Sequence, residues 1–288
     1  MNYAVTAQQM KAVDQNTIRE IGIPSMVLME RAALAVAKTA ERMAVERGWG
    51  KNAHILAVCG TGNNGADGVA AGRILQERGY EVSLFFAGNA QYDSEEMKHQ
   101  KRIAKNLNVP ELSAEEYENA DCDIILDALF GIGLGRDITG EYRKILEILE
   151  RIRERCDAGV IAVDTPSGIH GSTGEIMGAA LAADVTVTFG YPKTGLLLYP
   201  GKKYVGKLEV ADIGFSKISL LKSGWDAKVL TPEDLSKLPK RQEDGNKGTF
   251  GKVLVIAGSR GMSGAAYFTA LGAYRTGAGL VKILTVPE

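Results

Sequence analysis

Polar and apolar positions change their period several times along this chain. Short apolar runs at His54–Cys59, Glu81–Phe86, Asp123–Leu126, Val160–Val163, Val185–Phe189 and Lys207–Val210 have the length and β-branched content of strands. Between them, apolar residues recur at helical spacing over Val69–Arg78, Ser94–Leu107, Tyr142–Arg155 and Met177–Ala182. Two more helices are predicted upstream. Thr6 followed by Gln9 has the form of a capping box and opens a helix to about Glu20. Gly22 to Pro24 interrupt it. Ser25 is placed to cap a second helix that ends near Gly48, with Val27, Leu28, Ala32, Leu34 and Ala35 on its core face. Apolar strands alternating with helices predict an α/β fold, a three-layer Rossmann-like sandwich around a mostly parallel sheet.

The pattern breaks at Thr231. From there to Asn246 the stretch TPEDLSKLPKRQEDGN is polar, carries two prolines and reads as a linker with room for one short helix. KGTFG then leads into a strand at Lys252–Ala257, a glycine-rich turn GSRGMSGAA, a helix to about Thr276 and a strand at Leu280–Val286. The expected organisation is therefore a domain over 1–230, a linker over 231–246 and a second α/β segment over 247–288. A lone βαβ unit leaves the apolar faces of its strands uncovered and buries too little to offset its ordering entropy. The second segment is expected to be part of a longer two-domain protein, or to dock on something else.

Composition narrows the partners. The 288 residues carry a net charge of −1, with 45% hydrophobic and 24% charged positions, as in ordinary soluble proteins. The absence of a long basic run argues against nucleic acid. No apolar run reaches the ~20 residues that span a bilayer, and MNYAVTAQQMKAVD lacks a signal-peptide layout, so no membrane association is expected. Cys59, Cys122 and Cys156 are far apart and form no CxxC pair, which fits a reducing cytoplasm and argues against a thiolate metal site. A cytoplasmic homo-oligomer acting on a small molecule is the expected setting.

The candidate chemistry centres on Gly60–Gly68, GTGNNGADG, between the first strand and a helix. Gly60, Gly62 and Gly65 satisfy G-x-G-x-x-G, a turn that normally meets phosphate. A dinucleotide site would also need an acid at the end of the second strand, yet Ala87-Gly88-Asn89-Ala90 follow Glu81–Phe86. A P-loop would need a Lys-Ser/Thr pair, which is absent. The loop offers oxygens instead, from Asn63, Asn64 and Asp67. Other predicted strands end in Leu126-Asp127 and in Val163-Asp164-Thr165-Pro166-Ser167. Ligands of open α/β sheets gather at the carboxyl ends of strands, so Asn64, Asp127, Asp164 and Ser167 are expected at one edge. Oxygen donors without His or Cys suit a hard cation; one or two carboxylates among neutral oxygens suit a monovalent ion such as potassium. The plainer alternative is that Asp127 and Asp164 cap the turns that follow them.

The blocks NNGADG, DALFGIGLGRDITGEY, DTPSGIHGSTGE and ADVTVTFGYPKTGL, with MERAA upstream, resemble the signatures of the NAD(P)H-hydrate epimerase family, the YjeF N-terminal domain. The resemblance runs from about Ala7 to Lys222. KGTFGKVLVIAGSRGMSGAAYFTALGAYRTGAGLVKI resembles the start of an ADP-dependent NAD(P)H-hydrate dehydratase, which is ribokinase-like; 247–288 would then be an incomplete ribokinase-like segment. The resemblance implies epimerisation of the R and S forms of hydrated NADH and NADPH, NAD(P)HX. Dehydration of the S form with ADP or ATP would need the complete second domain. It also implies site roles. Asn63, Asn64, Gly65, Ala66 and Asp67 would contact the substrate. Asn64, Asp127 and Ser167 would hold one potassium ion. Gly131, Ile132, Gly133, Leu134, Gly135, Arg136 and Asp137 would bind the substrate through backbone amides and the guanidinium. Asp164 would contact the hydrated nicotinamide, and Ala265 would be a substrate contact in the second segment. Where Ala66 stands the family usually has a second glycine; were positive φ needed there, alanine would cost about 1 kcal/mol.

The implied chemistry asks for little. A ring that has gained water at carbon 6 expels hydroxyl with help from its nitrogen, and water returns to either face, so one carboxyl that gives and takes a proton suffices. Asp164 is the first candidate, with Asp67 and Asp127 behind it. Ring opening would use the same group. Lys193, in YPKTG, is a candidate lining residue or a surface lysine lying along apolar surface. His54, His99 and His170 read as structural or turn histidines, and Met26, Met29 and Met43 as core. Two rivals stay open: a nicotinamide-dependent dehydrogenase, which the missing ribose acid argues against, and a non-catalytic nucleotide-binding module on the same fold.

Overall fold

The computed structural model describes residues 2–225 and 227–286. Two compact units result, Met1–Leu230 and Thr231–Glu288. The first opens with a short strand β1 (Asn2–Ala4) and helix α1 (Ala7–Asn16). The capping box forms as its residues dictate: Gln9 N–H donates to Thr6 Oγ1 (3.1 Å) and Thr6 N–H to Gln9 Oε1 (2.8 Å). A π-helical turn, Thr17–Ile21, continues α1 until Gly22 ends it at φ 87°. Helix α2 is Ser25–Glu46. Ser25 is its first helical residue and not its cap; Pro24 holds the cap position, and the Ser25 hydroxyl donates to Glu96 (2.9 Å).

Strands β2 (His54–Cys59), β3 (Glu81–Phe86), β4 (Ile124–Ala128), β5 (Gly159–Val163), β6 (Val185–Phe189) and β7 (Lys207–Ala211) form a sheet ordered β3-β2-β4-β5-β6-β7. Every pairing in it is parallel. Alternate side chains feed two cores. Ile55, Ala57, Ile124 and Leu126 join α2 and helix α3 (Asn63–Glu77) on one face. Leu56, Val58 and Ile125 join Leu146 and Leu149 of helix α6 (Gly140–Cys156) on the other. Helices α4 (Glu95–Asn106), α5 (Ala114–Glu118) and α7 (Lys217–Ser223) complete the layers, and strand β8 (Ala227–Val229) pairs antiparallel with β1. Among the described residues no helix is long and apolar enough to cross a membrane.

Two departures from the sequence pattern bear on the site. Helix α3 starts at Asn63, six residues before the apolar period at Val69, so NNGADG is helical and not a loop. The glycines explain both the concealment and the structure. They have poor helix propensity, yet a Cβ on Gly65 would lie 1.8 Å from the Gly60 carbonyl oxygen, and one on Gly68 2.4 Å from Ala128 Cβ. Only glycine lets α3 press onto the strand ends this closely, and packing overrides propensity. Ala66, inside the helix, needs no positive φ and carries none of the cost considered for it. Second, Met177–Ala182 forms no helix. Its backbone is drawn onto the loop after β5, with Met177 N–H donating to Gly168 O (2.7 Å) and Leu181 N–H to Ser167 O (3.1 Å).

The smaller unit has a 3-10 turn at Pro232–Lys237, then strand β9 (Lys252–Ile256), helix α8 (Gly264–Arg275) and strand β10 (Leu280–Leu284). β9 and β10 pair in parallel. Leu254, Ile256, Tyr267 and Phe268 are exposed.

Candidate active site

The sheet reverses its order at β2, whose neighbours are β3 and β4, so the crevice outside the carboxyl ends of β2 and β4 is the topological switch point. A cleft of about 500 Å³ opens there. Its floor is polar: Thr61, Gly62, Asn63, Asn64 and Asp67 come from the start of α3, and Asp164 and Lys193 from the segments after β5 and β6. Helices α1 and α2 add an apolar wall through Met10, Ile18, Leu28 and Met29, which Phe189, Ile213 and Phe215 extend. No side chain caps α3, leaving its first N–H groups for water or a ligand.

Asp164 is the most constrained residue of the floor. It has φ 66°, a left-handed conformation uncommon outside glycine and held only where the surroundings over-determine it. Lys193 is 1% exposed, and its ammonium donates to Asp164 Oδ1 (2.6 Å), Thr188 Oγ1 (2.9 Å) and the Phe189 carbonyl (3.0 Å). All three of its N–H bonds are thereby used. Asp164 Oδ1 also accepts from Phe189 N–H (3.2 Å) and Thr188 Oγ1 (3.3 Å). Among the described residues its Oδ2 carries no hydrogen bond.

Two further carboxyl groups line the cleft. Burial, then the proximity of Asp164 and Asp14, raises Asp67 well above the usual carboxylate range. Burial, Asp164 and Glu96 also raise Asp14, and Lys193 opposes them. Beneath the floor, Asp127 is fully buried. It accepts from Ser167 Oγ (2.5 Å), Ser167 N–H (2.8 Å) and Leu129 N–H (3.4 Å). Burial lifts it to about 6, with the Ser167 and Leu129 hydrogen bonds pulling it back. Phe130 N–H donates to Ser167 Oγ (3.1 Å), tying the Gly131 loop to this group.

Of the residues singled out in the sequence, Asn63, Asn64, Asp67, Gly131, Ile132, Gly133, Leu134 and Asp164 line the cleft. Gly65 and Ala66 are buried in α3 behind it, and Gly135, Arg136 and Asp137 continue the loop as exposed residues. Ala265 is the second residue of α8 in the smaller unit. His170 caps its own turn, accepting from Thr173 N–H (3.2 Å). Among the described residues, Asn64 Nδ2 is buried without a partner. Sequence reasoning undervalued Lys193, which is central, and missed Asp14. A signal existed for both. Lys193 follows the end of a strand, as Asp164 does, and Asp14 is a charge at helical spacing between the apolar Met10 and Ile18.

A family model described as YjeF-related protein N-terminus matches residues 25–195. The chain belongs to this family. A second model, described as NAD(P)H-hydrate dehydratase, matches residues 253–288. This YjeF-related chain is 43% identical over 209 residues to an NAD(P)H-hydrate epimerase of Limosilactobacillus fermentum, covering 73% of the chain and 96% of that protein. It is 37% identical over 292 residues to the bifunctional NAD(P)H-hydrate repair enzyme Nnr of Moorella thermoacetica, covering 97% of the chain. The chain spans about half, 53%, of the length of that bifunctional relative. The crystal structure of the yeast protein ynu0 superposes with a TM-score of 0.65 at 23% identity, covering 80% of this chain and 97% of that one, which shows a shared fold.

Proposed function

We propose that the larger unit is an NAD(P)H-hydrate epimerase that interconverts the R and S forms of NAD(P)HX. The observation that carries this reading is the buried Asp164–Lys193 pair on the polar floor of an apolar-walled cleft at the switch point. The wall suits a nicotinamide ring, the floor supplies acid–base groups, and relatives aligned over most of the chain bear the epimerase name. Asp164 is the group that exchanges a proton with the substrate. The rim loop Gly131–Asp137, with Arg136, meets the phosphates, and the Asn63–Asp67 turn holds the reacting end.

A potassium ion suits the oxygen donors at and beneath the floor. The donors Asn64, Asp127 and Ser167 are all oxygen-bearing, and Asn64 has a buried amide end in want of a partner. Half a turn of that amide presents its oxygen at the same place. The ion would supply fixed positive charge beside the substrate, and Ser167 links it to the Gly131 loop.

In domain terms, 1–230 is the epimerase domain, 231–246 a linker and 247–288 the N-terminal part of a ribokinase-like dehydratase domain, as the 253–288 match suggests. The ADP- or ATP-dependent dehydration of S-NAD(P)HX would belong to a protein carrying that domain complete. A homo-oligomer in the cytoplasm is the proposed setting. Asp164→Asn tests the reading: the epimer exchange rate should fall about 10²–10⁴-fold with the fold retained, and retention of more than half the activity would remove Asp164 from the chemistry.

A further inference from the structure

We propose that the cleft divides its proton chemistry between two carboxyl groups, with Asp67 delivering the proton to the departing hydroxyl and Asp164, paired to Lys193, facing the cationic ring. This rests on the epimerase reading above.

The geometry separates the two acids. Asp14 from α1, Asp67 from α3 and Asp164 after β5 line one cleft, and its lining cations are Lys11 and Lys193. Lys11 is an exposed residue of α1. Lys193 is committed: its three N–H bonds go to Asp164, Thr188 and the Phe189 carbonyl. Asp164 therefore has an ammonium partner and a saturated Oδ1, with Oδ2 unclaimed. Asp67 has neither hydrogen bond nor ion pair among the described residues. A half-buried carboxyl without a partner among the described residues, beside other carboxylates, is held above the usual carboxylate range. The charged groups acting on Asp67 are Asp164, Asp14 and Glu96, which favour the protonated form, and Lys193, which opposes it. Two carboxyls in one cleft, one paired with an ammonium and one without a partner among the described residues, can form an acid and base couple.

The step balances without a co-reactant. The C6–O bond breaks as the Asp67 proton passes to the hydroxyl oxygen, which leaves as water. The ring nitrogen lone pair forms the C6–N double bond, and the positive charge so created lies among the Asp67 and Asp164 carboxylates. In the return step water attacks C6 from either face, the double-bond electrons go back to nitrogen, and the water proton passes to Asp67 on its own face or to the Asp164 carboxylate on the opposite face, after which exchange with solvent restores both groups. The acidic floor thus opposes charge that exists only after departure, which is where stabilisation accelerates a reaction.

The test compares Asp67→Asn, Asp67→Glu and Asp164→Asn in the whole chain, using one purified epimer of NADHX and chromatographic separation of both. Asp67→Asn should lower kcat about 10²–10⁴-fold with KM within about threefold of wild type. Asp67→Glu should retain more activity than Asp67→Asn. Wild-type kcat should fall as pH rises above the usual carboxylate range and Asp67 loses its proton, and the residual rate of Asp67→Asn should lack that limb. If wild type is active and Asp164→Asn inactive while Asp67→Asn keeps more than half of kcat, the epimerase reading stands and the role of Asp67 is overturned. Should Asp67→Asn not fold, the wild-type profile decides, and a kcat that stays level from the usual carboxylate range through alkaline pH overturns the proposal. Exchange by wild type no faster than in buffer overturns both readings.

Discussion

Replacing Lys193 with methionine removes one charge and little volume from the centre of the floor. The 1% exposed ammonium is the sole cation paired with Asp164 among the described residues. Its other acceptors lose little, because the Phe189 carbonyl still accepts from Tyr191 N–H (2.8 Å) and Thr188 Oγ1 can still donate to Asp164. The cost therefore falls on the Asp164 carboxylate, left buried with the Phe189 N–H and one hydroxyl. Breaking a buried ion pair in this way costs about 3–5 kcal/mol. For a unit of this size that corresponds to a fall of roughly 6–20 °C in Tm at about 2–4 °C per kcal/mol. Calorimetry on Lys193→Met, Asp164→Asn and the double variant isolates the pair. Since the double variant carries no stranded charge, it should recover about 1–3 kcal/mol relative to the sum of the singles. A Lys193→Met protein within 1 kcal/mol of wild type, or singles that simply add, would refute the reasoning.

Other perturbations probe separate parts of the account. Gly65→Ala forces a Cβ to 1.8 Å from the Gly60 carbonyl oxygen, so urea unfolding should show a loss of about 1–3 kcal/mol or more, along with activity; an unaffected variant would contradict the close approach. Asp67 is raised in the folded state, so its contribution favours folding below the ordinary carboxylate range and is lost as pH rises. Asp67→Asn should therefore gain stability relative to wild type as pH rises above the usual carboxylate range, as read by urea midpoints; a pH-independent difference would count against the shift. Soaking crystals with a heavier monovalent ion should give an anomalous peak near Asn64, Asp127 and Ser167, and an empty map, or distances near the ~2.1 Å of Mg²⁺, would rule out potassium. Limited proteolysis should cut first within 231–246, which is largely exposed, and release an active larger unit; a protected linker would contradict the proposed domain layout.

The strands and most helices were legible because their apolar periods are unambiguous, and β2, β3 and β6 start and end where the sequence pattern puts them. The strand-end motifs also marked the switch point, bringing Asn64, Asp67 and Asp164 to one cleft and Asp127 and Ser167 beneath it. What stayed hidden was tertiary in origin. NNGADG is helical because Gly65 and Gly68 fit the strand ends, and no local propensity encodes that fit. Met177–Ala182 has helical spacing but finds its hydrogen bonds on the loop at Ser167 and Gly168. Lys193 resembles any surface lysine until β5 and β6 stand side by side and place its ammonium against Asp164. The short β1 and β8 carry too few residues to show a period.

The most direct measurement is the rate at which the purified protein interconverts the two epimers of NADHX. Starting from one epimer, we expect wild type to bring both to equilibrium far faster than buffer does, and Asp164→Asn to return the rate close to the spontaneous one. Wild-type exchange indistinguishable from buffer, with folded protein and potassium present, would contradict the assignment of this cleft as an epimerase active site.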